Sequence, residues 1–73
     1  MPARMGRIAR AGRKSGLEVE EGKGTSHWKF KCDGRRTYPI PASNGEKTEI
    51  DDIYIKGLCR NFGLDLEEFK KLL

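Results

Sequence analysis

The sequence predicts a small α+β domain in which helices cover one face of a three-stranded antiparallel sheet, in the order α-β-β-β-α-α. Residues 5–14 repeat apolar side chains at helical spacing, and residues 17–40 alternate apolar and polar side chains around an Asp-Gly turn signal. Residues 48–72 carry two patterns typical of helix starts. The 73 residues are enough for a single domain, spanning residues 1–73, with a modest core.

The charge distribution indicates a polyanionic partner. The chain carries 15 basic and 11 acidic residues, a net charge of +4 at pH 7. Residues 1–14 contribute +5, with no acid among them, so the rest of the chain sums to −1. Residues 23–36 form a second basic segment that contains a single acid, Asp33. Two basic segments on a small domain are typical of proteins that bind nucleic acid, although an ordinary soluble surface gives a similar composition.

Composition also bears on location and on metal binding. No apolar stretch approaches the length of a membrane span or a signal sequence, so we expect a soluble protein of the cytoplasm. Cys32 and Cys59 lie far apart, and His27 is the only histidine. These three residues do not supply the four regularly spaced ligands of a structural zinc site, so we expect reduced thiols, no metal and no cofactor.

The first helix is predicted to be amphipathic. Its apolar side is interrupted by glycine, which costs about 1 kcal/mol per residue relative to alanine, so the helix must rely on packing. Gly16 is a natural stop. A loose basic arm is the rival interpretation of the first few residues. Met5, Ile8, Ala9 and Gly12 fall on one side of the helix, and Arg7, Arg10, Arg13 and Lys14 on the other.

Two alternating segments predict the first two strands. In the first, Leu17 and Val19 fall on one side and Glu18 and Glu20 on the other. A glycine-containing loop then separates it from a second strand at about residues 26–31.

A hairpin joins the second strand to a third at about residues 35–40, and two turn geometries give opposite faces. A two-residue turn pairs Phe30 with Thr37, whereas a three-residue loop with a bulge pairs Trp28 with Tyr38. The second register collects the large apolar side chains on one face, so we predict the bulged hairpin. It buries Trp28, Phe30, Tyr38 and Ile40, and it leaves His27, Lys29, Lys31, Arg35 and Thr37 on the open face.

Two helices are predicted after the Pro-Ile-Pro sequence at residues 39–41, which ends the third strand because proline is tolerated only at strand ends and edges. Thr48 and Asp51 have capping-box spacing and start the first helix, which Gly63 ends. Residues 65–68 repeat the capping pattern for a short last helix. The first apolar stripe comprises Ile50, Ile53, Tyr54, Gly57, Leu58 and Phe62, and the second comprises Leu66, Phe69 and Leu72.

The open face of the predicted sheet carries the residues suited to chemistry on RNA. Imidazole can accept or donate a proton near neutral pH, and His27 lies beside Lys29 across one pleat. RNA supplies its own nucleophile, the 2′-hydroxyl, so this site needs no metal. With a single histidine, the second proton transfer falls to water, a lysine or Tyr38. From the chemistry alone, phosphate binding by His27 is favoured over catalysis.

Four motifs together resemble the HicA toxin family, over about residues 14–73. Each motif is weak alone, but their order and spacing match the family pattern. They are Gly24-Thr25-Ser26-His27-Trp28-Lys29-Phe30, then Asp33-Gly34, then Pro39-Ile40-Pro41, and finally the segment from Phe62 to Phe69, which reads FGLDLEEF.

The resemblance implies a double-stranded-RNA-binding-domain-like fold and a metal-independent endoribonuclease, an mRNA interferase of a toxin–antitoxin system. It also implies a HicB-like antitoxin that covers the active surface. The essential histidine of the family corresponds to His27. We expect the RNA-binding residues to be Lys23, Gly24, Ser26, Lys29, Lys31 and Arg35.

Two other functions are compatible with the sequence. The first is a non-catalytic RNA-binding module of the same fold, since duplex RNA is recognised largely through its shape and phosphates. The second is an interaction protein whose basic first helix docks an acidic partner. Replacement of His27 separates catalysis from binding, because imidazole matters greatly to the first and little to the second.

Overall fold

The computed structural model describes residues 2–23 and 25–73. It confirms a small α+β domain with a three-stranded antiparallel sheet, in which β3 lies between β2 and β4. It also contains two short strands that the sequence did not predict, β1 and β5, which pair with each other. The elements are β1 (Ala3–Arg4), α1 (Met5–Lys14), β2 (Glu18–Glu20), β3 (His27–Lys31), β4 (Tyr38–Pro41), a 3-10 turn (Gly45–Lys47), β5 (Glu49–Ile50), α2 (Asp52–Phe62) and α3 (Leu66–Lys71).

Helix α1 is ordered and amphipathic as predicted, which excludes the loose arm for Met5–Lys14. Its apolar side is buried against the sheet, and Gly16, at a φ of 90°, follows its end. A Cβ at Gly12 would lie 2.8 Å from Cε2 of Phe30. The glycine that weakens the isolated helix therefore lets α1 approach the central strand closely.

The β3–β4 pairing keeps the predicted faces but not the predicted register. Tyr38 pairs with Phe30 rather than with Trp28, so the pairing prediction was wrong by two residues. Gly34 adopts the left-handed backbone conformation that was predicted for it, with a φ of 76°. The connecting loop is longer than predicted, because it continues to Thr37. Because side chains alternate with a period of two, a slip of two residues leaves every face unchanged.

Strand β4 includes both of its prolines and ends at the second of them, Pro41, within the Pro-Ile-Pro sequence that was predicted to end it. Pro39 and Pro41 pair with Lys29 and His27, while Ile40 between them pairs with Trp28. Alternate residues of an edge strand point their N–H groups away from the neighbouring strand, so prolines at these positions remove no ladder hydrogen bond. The free edge of β4 also cannot offer those two donors to a further strand.

The start of α2 differs from the predicted capping box. The Thr48 hydroxyl accepts a hydrogen bond from the Asn44 backbone N–H (2.8 Å), and the Thr48 carbonyl accepts one from Met5 (2.8 Å). These bonds and the β1–β5 pairing hold residues 48–50 extended, so the helix begins at Asp52. The second cap is as predicted, since the Asp65 carboxylate accepts from the Glu68 N–H at 3.1 Å.

The buried side of α2 also differs from the predicted apolar stripe. Ile53 was predicted to be in the core but is 72% exposed, whereas Ile55 is fully buried. Leu72, predicted to be part of the α3 stripe, is 38% exposed, and Phe69 is the buried residue of that helix. The core lies between the helices and one face of the sheet, and comprises Met5, Ile8, Ala9, Ala11, Leu17, Trp28, Phe30, Ile40, Ala42, Ile50, Ile55, Leu58, Cys59, Phe62 and Phe69.

Candidate functional site

The open face of the sheet carries the histidine and two of the predicted lysines. His27 and Lys29 are exposed and Lys31 is half-buried, while Trp28 and Phe30 between them are buried against the helices. This confirms the predicted division of the second strand into a polar and an apolar face.

The backbone around His27 is tightly folded. Its N–H donates to Oγ1 of Thr25 at 3.2 Å, and the Ser26 carbonyl accepts from the Ala42 N–H, which continues the ladder past the end of β4. A Cβ at Gly22 would lie 2.6 Å from the Thr25 carbonyl oxygen and 2.7 Å from that of His27. Such separations essentially never occur, so the loop before β3 can close against the strand only with glycine at this position.

Proline rings flank the histidine on the neighbouring strand. Pro41 lies directly across from His27, and Pro39 lies across from Lys29. Directly opposed residues of an antiparallel pair have Cβ atoms about 4.5–5.5 Å apart, so the imidazole has a rigid apolar neighbour on one side. Neither proline was expected to take part in the site. The predicted register placed Pro39 opposite His27, and the observed register puts Pro41 there instead.

Acidic side chains share the open face with the lysines. In the β2–β3 register, Glu20 lies opposite Lys29 and Glu18 opposite Lys31. The Lys31 Nζ also forms an ion pair with Glu20 Oε2 at 3.2 Å. Two glutamates thus offset the two lysines of β3. The alternation of residues 17–20 placed both glutamates on one side of their strand, but only the register shows that this side is the lysine side.

Other predicted RNA-binding residues are not on the sheet face. Arg35 lies in the β3–β4 loop, where its Nη1 donates to the Asn61 carbonyl at 3.2 Å near the end of α2. A cation is favourable at that end of the helix dipole. Arg35 therefore precedes β4 instead of belonging to it as predicted, and it lines a groove at the end of the sheet together with Lys31 and Glu18. Lys23 and Ser26 are exposed in the loop before β3, and Gly24, between them, lies outside the described residues.

Tyr38 is removed from the set of groups that could transfer a proton to or from the His27 side. It pairs with Phe30, which is fully buried, so its side chain lies on the helix face of the sheet. Burial raises the pKa of the Tyr38 phenol above its usual value of 10.0. The nearby Tyr54 raises the pKa further, and the positive charge of Arg60 lowers it by less.

Within residues 2–23 and 25–73, no group of three or more His, Cys, Asp or Glu side chains is arranged to hold a metal ion. No helix in this described part of the chain is long and apolar enough to cross a bilayer. The chain matches no family model, no curated protein and no solved structure.

Proposed function

We propose that the protein is a HicA-like toxin with a double-stranded-RNA-binding-domain-like fold, a metal-independent endoribonuclease that cleaves mRNA in the cytoplasm. The main support is His27, an exposed imidazole at the start of the central strand. It is bounded by a tight glycine loop on one side and by Pro41 across the strand pair. An exposed imidazole contributes little to the packing of the core, and it is accessible to a phosphodiester.

The proposed reaction uses the RNA's own 2′-hydroxyl as nucleophile. His27 takes the proton as the 2′-oxygen attacks phosphorus, and the bond to the 5′-oxygen breaks. The products are a 2′,3′-cyclic phosphate and a 5′-hydroxyl, which gains a proton from a second group. One positioned acid–base group contributes roughly 10²–10⁴-fold to the rate, and Lys29 stabilises the charge that develops on the phosphate oxygens.

The second proton has two candidate sources, namely water and Lys29. Glu20 is a candidate for the opposite role, in which its carboxylate takes the 2′-proton and His27 donates the proton to the 5′-oxygen. Glu20 lies diagonal to His27 in the β2–β3 register, where Cβ atoms are roughly 7–8 Å apart. It is held in the ion pair with Lys31 in this structure, and RNA that engaged Lys31 would release it. Glu20 is therefore the candidate that the sequence alone did not suggest.

A HicB-like antitoxin is the proposed protein partner. No helix or strand of the described residues covers the open face of the sheet, which leaves His27 and Lys29 accessible. A protein bound there would exclude RNA from the histidine.

A non-catalytic RNA-binding module of the same fold is the second candidate. It is favoured by the scarcity of acid–base groups on the open face, where Glu20 is already paired with Lys31. Only turnover distinguishes this function from the first.

The test compares the wild type with His27→Ala on mixed mRNA in the presence of EDTA, followed on a denaturing gel and by RNA retention. Glu67→Gln, an exposed change on α3, is the matched control. The ribonuclease proposal predicts cleavage by the wild type and the control but not by His27→Ala, with equal retention by all three. If no protein cleaves and all retain RNA equally, the enzyme proposal fails and the binding module remains.

A further inference from the structure

The outer side of α1 carries the strongest unneutralised charge of the described residues. Five cations occur within eleven positions, all of them exposed, and none forms an ion pair with another described residue. By contrast, Lys31, Lys56, Lys70 and Lys71 are each paired with a carboxylate. The five cations, which we call the α1 basic face, are Arg4, Arg7, Arg10, Arg13 and Lys14.

The spacing along α1 gives this face a regular geometry. The arginines follow one another at intervals of three residues, and side chains at this spacing are neighbours about 5–6 Å apart on a helix surface. The row from Arg7 to Lys14 extends over about 10 Å of helix axis. A row of this kind presents several guanidinium groups at once to an extended anion.

Cations from other elements adjoin the N-terminal half of the α1 basic face. One surface groove is lined by Arg4 and Arg7 together with Lys70, and a second contains Lys47 beside the same arginines. Glu46 is the one acid among the residues lining these two grooves. Lys70 is paired with Asp52 and Lys47 lies beside Glu46, so the unneutralised charge of these grooves comes from the arginines of the α1 basic face.

The chemistry of this surface favours a phosphate backbone over a protein or a membrane. The apolar side of α1, including Met5 and Ile8, is already buried in the core, so the helix has no apolar surface to insert into a bilayer or to form the centre of a protein interface. Its accessible groups are arginines, which bind phosphate through bidentate, charge-assisted hydrogen bonds.

We propose that the α1 basic face is a second nucleic-acid-binding surface, which holds the phosphate backbone of RNA independently of sequence. It lies on the helix side of the sheet, away from His27, so a dinucleotide at the histidine does not reach it and a long RNA strand does. The proposal stands whether or not His27 cleaves RNA.

The test uses Arg7→Gln/Arg10→Gln/Arg13→Gln and measures binding of a long single-stranded RNA by fluorescence anisotropy across a salt series. The matched control is Lys56→Gln/Arg60→Gln/Lys71→Gln, which removes the same charge from exposed positions on α2 and α3. Circular dichroism melts check that both variants are folded, and Arg10→Glu alone serves as a milder second variant. Polyglutamate serves as the acidic-protein probe.

Loss of three single-strand phosphate contacts should lower the magnitude of the slope of log K against log salt by about 2. The wild type should then lose roughly 16-fold more affinity than the variant between about 50 and about 200 mM salt. The control should keep the wild-type slope. Equal slopes for variant and control would overturn the proposal, and so would polyglutamate binding as tight as that of RNA.

Failure of this proposal is distinguishable from failure of the ribonuclease. The α1 variant should cleave a dinucleotide as the wild type does and lose efficiency only on long RNA. The His27→Ala variant should keep the salt dependence of RNA binding of the wild type, and it should cleave neither the dinucleotide nor the long RNA. Unchanged cleavage of long RNA by the α1 variant, at concentrations below saturation, would contradict a role of α1 in holding the substrate.

Discussion

Glu20→Gln provides a direct test of whether RNA binds on the open face of the sheet. Glu20 neutralises Lys31 through a contact of 3.2 Å and lies opposite Lys29. Replacement by glutamine keeps the size of the side chain and removes only the charge. If the sheet face binds phosphate, this acidic-to-neutral change should strengthen RNA binding.

The magnitude follows from the exposure and geometry of the pair. The side chains of Lys31 and Glu20 are 39% and 53% exposed, so the ion pair contributes only about 0–1 kcal/mol to stability, and the variant should fold. A lysine released to contact one phosphate of single-stranded RNA steepens the salt slope by about 0.7, which corresponds to roughly fivefold tighter binding near about 0.1 M salt.

The assay is RNA binding over a salt series, with Glu67→Gln on α3 as a control for net charge alone. An affinity gain no larger than that of the control would refute RNA binding at the sheet face and leave α1 as the only candidate surface. Cleavage measured on the same samples tests the second role of Glu20. If Glu20 transfers a proton, cleavage falls while binding becomes tighter, and if it does not, both rise together.

Three further predictions concern the support of the site and the fold. Gly22→Ala should lower cleavage through displacement of His27, and a fall in kcat with a smaller change in melting temperature would distinguish this from general unfolding. Desolvation raises the pKa of Asp52, but hydrogen bonds and charges from Lys70 and Lys56 outweigh it, so the pKa lies below its usual 3.8. The resulting stabilisation is present above pH 3.8 and is lost as the pH falls through the lowered pKa, so Asp52→Asn should flatten acid unfolding curves in this range. Burial, with a smaller contribution from a nearby carboxylate, raises the pKa of the Cys59 thiol, so a thiol reagent should modify Cys59 only after denaturation, and modification in the native state would contradict the packing of α2.

The elements that the sequence predicted correctly are those with a strong local signal. The helical period of α1, the alternation of β3 and the glycine after α2 each depend on residues within one or two turns or pleats. The start of α2 was mispredicted because the capping pattern at Thr48 competes with hydrogen bonds from Asn44 and Met5, one of which is distant in the chain. A local sequence pattern does not show hydrogen bonds from distant residues, so it cannot predict which of the two arrangements forms.

The sequence by itself determined that His27 and Lys29 lie on the open face of the sheet, because they alternate with Trp28 and Phe30 and because burying the large apolar residues together excludes a register slip of one residue. Only the tertiary structure decided which side chains surround them. A slip of two residues changes every cross-strand neighbour without changing a face, so the alternation of side chains cannot select between two such registers. The pairing of β2 with β3 likewise places Glu20 beside Lys29 and Lys31. The open face of the sheet is therefore nearly neutral, whereas the α1 basic face keeps its positive charge.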